Sequence, residues 1–168
     1  MKNIPTNVIT NVQLKSLQWK VQLADVESLC KVAASAVWKA AFESYNIFEV
    51  TIALADDAMV QELNFKYRNQ NKPTNVLSFP SNLDEKTVSG DIPTLGDVVV
   101  AFETAKAEAP GHVSDHLSHL VVHGCLHLLG YNHEDDKGAH EMEALEIKIL
   151  AGLGIRNPYD SEYAYIMN

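Results

Sequence analysis

The run His123-Gly124-Cys125-Leu126-His127-Leu128-Leu129-Gly130-Tyr131-Asn132-His133 holds the side chains of this chain best suited to chemistry. His123 and His127 are four apart, so on a helix they share one face about 6 Å apart along the axis. Both imidazoles can then tilt toward one metal ion beside that face. His133 lies beyond Gly130, a residue type that readily takes positive φ and ends a helix. The chain can turn there and return a third imidazole to the same ion. Three nitrogens leave one tetrahedral position open, which is the arrangement of a catalytic zinc rather than a closed structural one.

All the histidines of the chain fall between positions 112 and 140, and His119, His123 and His127 form an i, i+4, i+8 row. One ion cannot take that whole row. Its outer members would stand about 12 Å apart along a straight helix, whereas two nitrogens bound to one zinc at about 2.1 Å lie no more than about 4 Å apart. The third ligand must come from off the helix, and His133 is the nearest candidate. His119 points toward the ligand side and could orient a ligand. His112, His116 and His140 read as polar surface positions. Cys125 follows His123 by two residues, about 200° around a helix, so its sulfur points away from the metal and reads as buried apolar filler.

The elements that must position these groups can be read along the chain. Strands are expected at 8–12, 48–54, 75–80 and 96–101, from alternating or β-branched runs. A helix capped by Asp25 runs to about residue 43, with Val26, Leu29, Ala33, Val37 and Ala40 at helical spacing. Asp56-Asp57 opens another in which Met59, Leu63 and Tyr67 share a face with Val60 beside them, and Lys72-Pro73-Thr74 breaks it. Residues 81–95 are polar and read as an exposed loop. Helices follow near 102–109, 113–129 and 136–151, the last with Met142, Leu145 and Ile149 as its apolar stripe. Strands followed by helices suggest α+β, with one mixed, roughly four-stranded sheet and packed helices.

At 168 residues the chain is expected to form one domain, residues 1–168, with a core that needs no staples. Hydrophobic content of 46% and charged content of 21% are ordinary for a globular protein. Two cysteines make no disulfide framework. No apolar run is long enough to span a membrane, and residues 1–7 lack the features of a signal peptide, so a cytoplasmic location is expected. The net charge of −9 opposes a nucleic-acid partner as a whole, since phosphate contacts need Lys and Arg. The charge is uneven, however. Lys66, Arg68 and Lys72 cluster in the first half, where a local basic groove is possible.

A zinc ion with an open position lowers the pKa of bound water to about 7 and polarises carbonyl or phosphoryl oxygens. Both uses indicate a hydrolase. The spacing matches the metalloprotease pattern H-E-x-x-H-x-x-G-x-x-H at all three histidines and the glycine, so a zincin-like placement of the metal-binding helix is expected. Gly124 stands where that pattern has its Glu general base. A peptidase would have to borrow a base, such as Glu134 or Asp135. Phosphodiester cleavage depends less on that Glu, because it asks chiefly for positive charge on a non-bridging oxygen and an oriented nucleophile.

The run from His123 to His133 resembles the signature H-G-x-L-H-L-x-G-Y-D-H of the YbeY family, bacterial single-strand-specific endoribonucleases that act as rRNA maturation factors. Leu63-Asn64-Phe65-Lys66-Tyr67-Arg68, with Lys72-Pro73-Thr74-Asn75-Val76-Leu77-Ser78-Phe79-Pro80, resembles that family's second block, and Leu95-Gly96-Asp97-Val98-Val99-Val100 its L-G-D-I strand. The matching blocks run in family order from about residue 50 to 158. The resemblance implies zinc at His123, His127 and His133, with nickel or cobalt also acceptable to three imidazoles. It also implies a functional arginine at Arg68, and a guanidinium can hold a phosphate bidentately. Lys66 and Lys72 would steer the RNA backbone.

The implied activity is zinc-dependent cleavage of single-stranded RNA in maturation of the small-subunit (16S) rRNA 3′ end and in ribosome quality control. The implied partners are rRNA and the ribosome or small-subunit proteins, with neither DNA nor membrane. Asn132 and Asn75 stand where the family usually or often has Asp. If the Asp at the first position orients a ligand histidine, Asn132 can still accept a hydrogen bond but carries no charge, so weaker zinc retention or an altered water pKa is expected. Two rivals remain. A zinc peptidase is opposed by Gly124, and a non-enzymatic assembly factor with a structural zinc is opposed by the open coordination position.

Overall fold

Alternation along the strands decides how this chain folds. Ile52 and Leu54 point to one side of their strand and Ala53 and Ala55 to the other, and all four are buried, so the sheet must be covered on both faces. The computed structural model describes residues 7–82 and 91–160. Within them the order is β1 (Val8–Leu14), α1 (Gln18–Gln22), α2 (Val26–Ala41), β2 (Phe48–Ala55), α3 (Asp57–Arg68), β3 (Val76–Pro80), β4 (Thr94–Ala101), α4 (Phe102–Glu108), α5 (Val113–Leu128) and α6 (Asp136–Gly152). The four strands form one sheet in the order β1-β2-β4-β3. β1, β2 and β4 are parallel, and β3 runs antiparallel to β4 at the edge. This is the mixed four-stranded α+β arrangement expected from the sequence.

The two faces are unequal. Val50, Ile52, Leu54, Val98 and Val100 pack with α2 and α5 in the larger core, whereas Leu77, Val99 and the alanines at 53, 55 and 101 pack with Val60 of α3 in a smaller one. Helix α5 is buried along almost its whole length. That corrects the expectation for His116, which is fully buried beside Glu108 (3.7 Å) rather than a surface histidine. The physical reason is that α5 is enclosed on several sides, by the sheet, α2 and α6, so even its polar positions face protein. His112 and His140 are exposed, as expected.

Other differences are local. The short helix α1 had no periodicity to announce it; it is held by Trp19, which is fully buried and donates from Nε1 to the Ala55 carbonyl (2.9 Å). In the expected loop at 81–95, residues 83–90 lie outside the described residues. Thr94 and Leu95 instead begin β4, where Leu95 is buried. No helix among the described residues is long and apolar enough to cross a membrane.

Helix α5 sits tightly on the sheet at Gly124. A β-carbon there would lie 2.6 Å from Val98 Cγ1 and 3.1 Å from Ser78 Oγ. Ser78 also ties the layers together by donating to the Gly124 carbonyl (2.9 Å). Val98 is β-branched and fully buried on an interior strand, so it cannot turn aside. Gly124→Ala gains about 1 kcal/mol of helix propensity but forces overpacking that costs about 1–3 kcal/mol. A net loss of stability is expected in urea unfolding. A variant with a higher midpoint than the parent would show that the helix can lift from the sheet at no cost.

Candidate metal centre

The histidine helix ends in a way that also builds the site. Gly130 takes φ 93°, Gly130 N–H donates to His127 O (3.0 Å), and Tyr131 N–H donates to Leu126 O (3.1 Å). This pair of bonds is the Schellman closure of a helix C-terminus. The turn aims the Tyr131 carbonyl back at the helix, where it accepts from His127 Nδ1 (2.8 Å). The chain then continues to His133. Asn132 accepts from the Glu134 N–H (3.3 Å), and Asp135 caps α6 by accepting from the Gly138 N–H (2.6 Å).

Each of His123, His127 and His133 places a ring nitrogen within 4.8 Å of those of the others. His123 is buried, His127 half-buried and His133 exposed, so the group opens to solvent on one side. The hydrogen bonds assign the tautomers. His123 Nδ1 faces Glu146 Oε1 (2.7 Å) and His127 Nδ1 faces a carbonyl, so both donate from Nδ1. Both Nε2 atoms are left with lone pairs, yet they face one another at 3.0 Å. Two lone pairs at that distance repel unless a cation lies between or beside them. Three imidazoles with ring nitrogens turned to one place are a donor set that a borderline metal such as zinc takes.

Glu146 is the residue that sequence reasoning missed. It comes from α6, is 1% exposed, and accepts from His123 through Oε1 and from His119 Nε2 through Oε2 (2.9 Å). The Tyr159 hydroxyl donates to Oε2 as well. Burial alone would raise the Glu146 pKa, but the hydrogen bonds from His119 and His123 outweigh it and hold the carboxyl down at about 2. The carboxylate is therefore charged. Burial, together with neighbouring His123, lowers His127 to about 4, and burial lowers His119 despite its bond to Glu146. Neutral rings are what metal ligation needs. Burial and then the Glu146 charge push Tyr159 up, so it stays a donor. A signal was present: Met142, Glu146, Ile149 and Leu150 share the buried face of α6, and an acid within an apolar stripe needs a partner.

The other predicted residues divide. His119 lies behind the triad and touches Glu146 rather than the ligand nitrogens. Asn132 is exposed and spends its side chain on the turn; the hydrogen bonds that orient His123 and His127 come from Glu146 and Tyr131 instead. Arg68 and Lys72 line the same cavity as His123, His127 and His133, a space of about 660 Å³ bounded also by Ser78 and Pro80 of β3. Lys66 does not line it; its ammonium lies 5.1 Å from the centre of the Tyr67 ring. Buried Asn64 donates to the Lys72 carbonyl (2.8 Å) and so holds the loop that carries Lys72. Asn75 is buried and donates from Nδ2 to Glu108 (3.1 Å), a bond that an ionised Asp could not make.

The family model described as Endoribonuclease YbeY matches residues 11–154. This chain belongs to the YbeY family. A relative named Endoribonuclease YbeY from Paramagnetospirillum magneticum is 49% identical over 149 residues, covering 86% of this chain and 91% of the relative. Another of that name, from Bradyrhizobium diazoefficiens, is 44% identical over 160 residues, covering 92% and 87%. The solution structure of TM1509 from Thermotoga maritima is similar with a TM-score of 0.53 at 27% identity, over 84% of this chain and 87% of that one. The segment matched to the YbeY family contains Arg68, all three histidines and Glu146, while Tyr159 lies just beyond it.

Removing the charge on Glu146 tests the orienting network. Glu146→Gln should weaken metal binding by about 10–100-fold in competition with a chromophoric chelator. Asn132→Ala should change it by no more than about twofold, since that side chain touches no ligand ring. The opposite ranking would mean that the loop, not α6, orients the site.

Proposed function

We propose that this chain is a zinc-dependent, single-strand-specific endoribonuclease that acts in the cytoplasm on the 3′ end of small-subunit rRNA and in ribosome quality control. The observation that carries the reading is the meeting, in one cavity, of three converging imidazoles with Arg68 and Lys72. The relatives named as endoribonucleases support an RNA substrate. A protein of net charge −9 has few cations to spare, and two of them line this space.

His123, His127 and His133 would hold the ion. When bound, zinc with an open position supplies a water acidic enough to ionise at about neutral pH and a Lewis acid for a phosphoryl oxygen. The protein does the rest. Glu146 and the Tyr131 carbonyl fix the two helix imidazoles by their Nδ1 protons, so neither ring can swing away from the site. The Arg68 guanidinium holds the scissile phosphate and stabilises the charge that develops on it. Lys72 steers the neighbouring backbone.

A peptidase reading is disfavoured by packing as well as by residue type. Position 124, where zinc peptidases of this pattern keep a general-base Glu, is pressed against Val98 and has no room for a side chain.

The test is cleavage of a labelled single-stranded RNA by the purified protein, with a His127→Ala preparation beside it as a control for contaminating nuclease. Cleavage should fall to the control level on chelation and return with zinc. Arg68→Ala should lower kcat by about 10²-fold while metal content stays unchanged. Cleavage that survives chelation, or a loss below about tenfold for Arg68→Ala, would contradict the proposal.

A further inference from the structure

Two large aromatic side chains stand exposed on α3 beside the cavity. Phe65 is 55% and Tyr67 60% exposed, in a helix whose Met59, Val60 and Leu63 turn inward to the smaller core. Their placement follows from helix geometry. Asn64 and Arg68 are four apart and both line the cavity, so they mark one face of α3. At 100° per residue Phe65 and Tyr67 fall about 80° to either side of that face. A strand laid across Arg68 would meet one ring on each side.

Tyr67 also has a packing partner. Its ring packs edge-on against Phe79, with centroids 5.3 Å apart and planes at 63°. Phe79 is itself packed against the smaller core, and its chain neighbour Pro80 lines the cavity. The shelf therefore begins where the cavity ends. The Lys66 ammonium sits over the Tyr67 ring, 5.1 Å from its centre, so a base stacking there would take its place and turn the flexible lysine toward the phosphate. A nucleotide offers the matching pair, a base to stack and a phosphate to bind. Stacking of this kind tolerates any base but needs an unpaired one, because bases within a duplex expose no face.

We propose that Tyr67, propped by Phe79, is a base-stacking subsite for single-stranded RNA, with Lys66 taking the phosphate of the same nucleotide and Phe65 receiving a second base beyond Arg68. The subsite rests on the RNA-cleavage reading given above. It supplies a physical reason for single-strand specificity and puts Lys66, which lies outside the cavity, in contact with the substrate.

The test is binding of the metal-loaded full chain, before appreciable cleavage, to two fluorescent probes of equal length: an oligoadenylate and the same ribose-phosphate backbone without bases. The parent protein should prefer the base-bearing probe by about tenfold, and Tyr67→Leu should lose most of that preference while binding the abasic probe as before. Tyr67→Trp should keep the preference, which separates stacking from a fold defect. Equal binding of both probes by the parent, or an undiminished preference in Tyr67→Leu, would overturn the subsite and leave RNA cleavage standing. No binding of either probe would overturn the RNA reading beneath it.

Discussion

Helix α5 lies so close to the sheet that residue 124 has room only for hydrogen, with Val98 and Ser78 on the far side of the contact. That seat sets the helix's rotation. With Gly124 turned to the sheet, His123 and His127 lie on a neighbouring face, toward the cavity that borders β3. The antiparallel strand β3 is one of the two edge strands, so its far side is left for that cavity. The Schellman closure at Gly130 then brings His133 into reach. A bulkier residue at 124 would disturb packing and chemistry together.

The second requirement is a charge inside the protein. Glu146 is buried and ionised, and an isolated charge there would cost several kcal/mol. Three donors offset that cost: His119, His123 and Tyr159. The same bonds fix the tautomer of His123 and leave its Nε2 free to bind a metal. The charge of Glu146 would also partly balance a dication held by the three histidines. Overall acidity and a phosphate-binding role are then compatible, because the cations are concentrated: Arg68 and Lys72 in the cavity, and Lys66 on the shelf next to it.

Much of this was legible in the sequence. The strands, the long helices and the helix-ending Gly130 follow from periodicity and turn chemistry, which are local. The histidine triad was legible because its spacing is short. What stayed hidden depends on contacts between distant segments. Glu146 and Tyr159 reach His119 and His123 from 13 or more residues beyond His133, and no local pattern links them. His116 looked like a surface residue because its burial comes from the packing of α2, α6 and the sheet around α5. Asn132 holds the motif position from which an Asp could orient a ligand, but here the exposed side chain accepts from the nearby Glu134 N–H.

The proposed chemistry requires a metal held by three imidazoles with a fourth position open. X-ray absorption at the zinc edge of the loaded protein measures this directly. Three imidazole scatterers at about 2.0–2.1 Å and one light atom without the imidazole outer shell are expected. Four imidazoles would contradict it by closing the fourth position, and two imidazoles with a bound carboxylate would contradict it by replacing one of the three histidines.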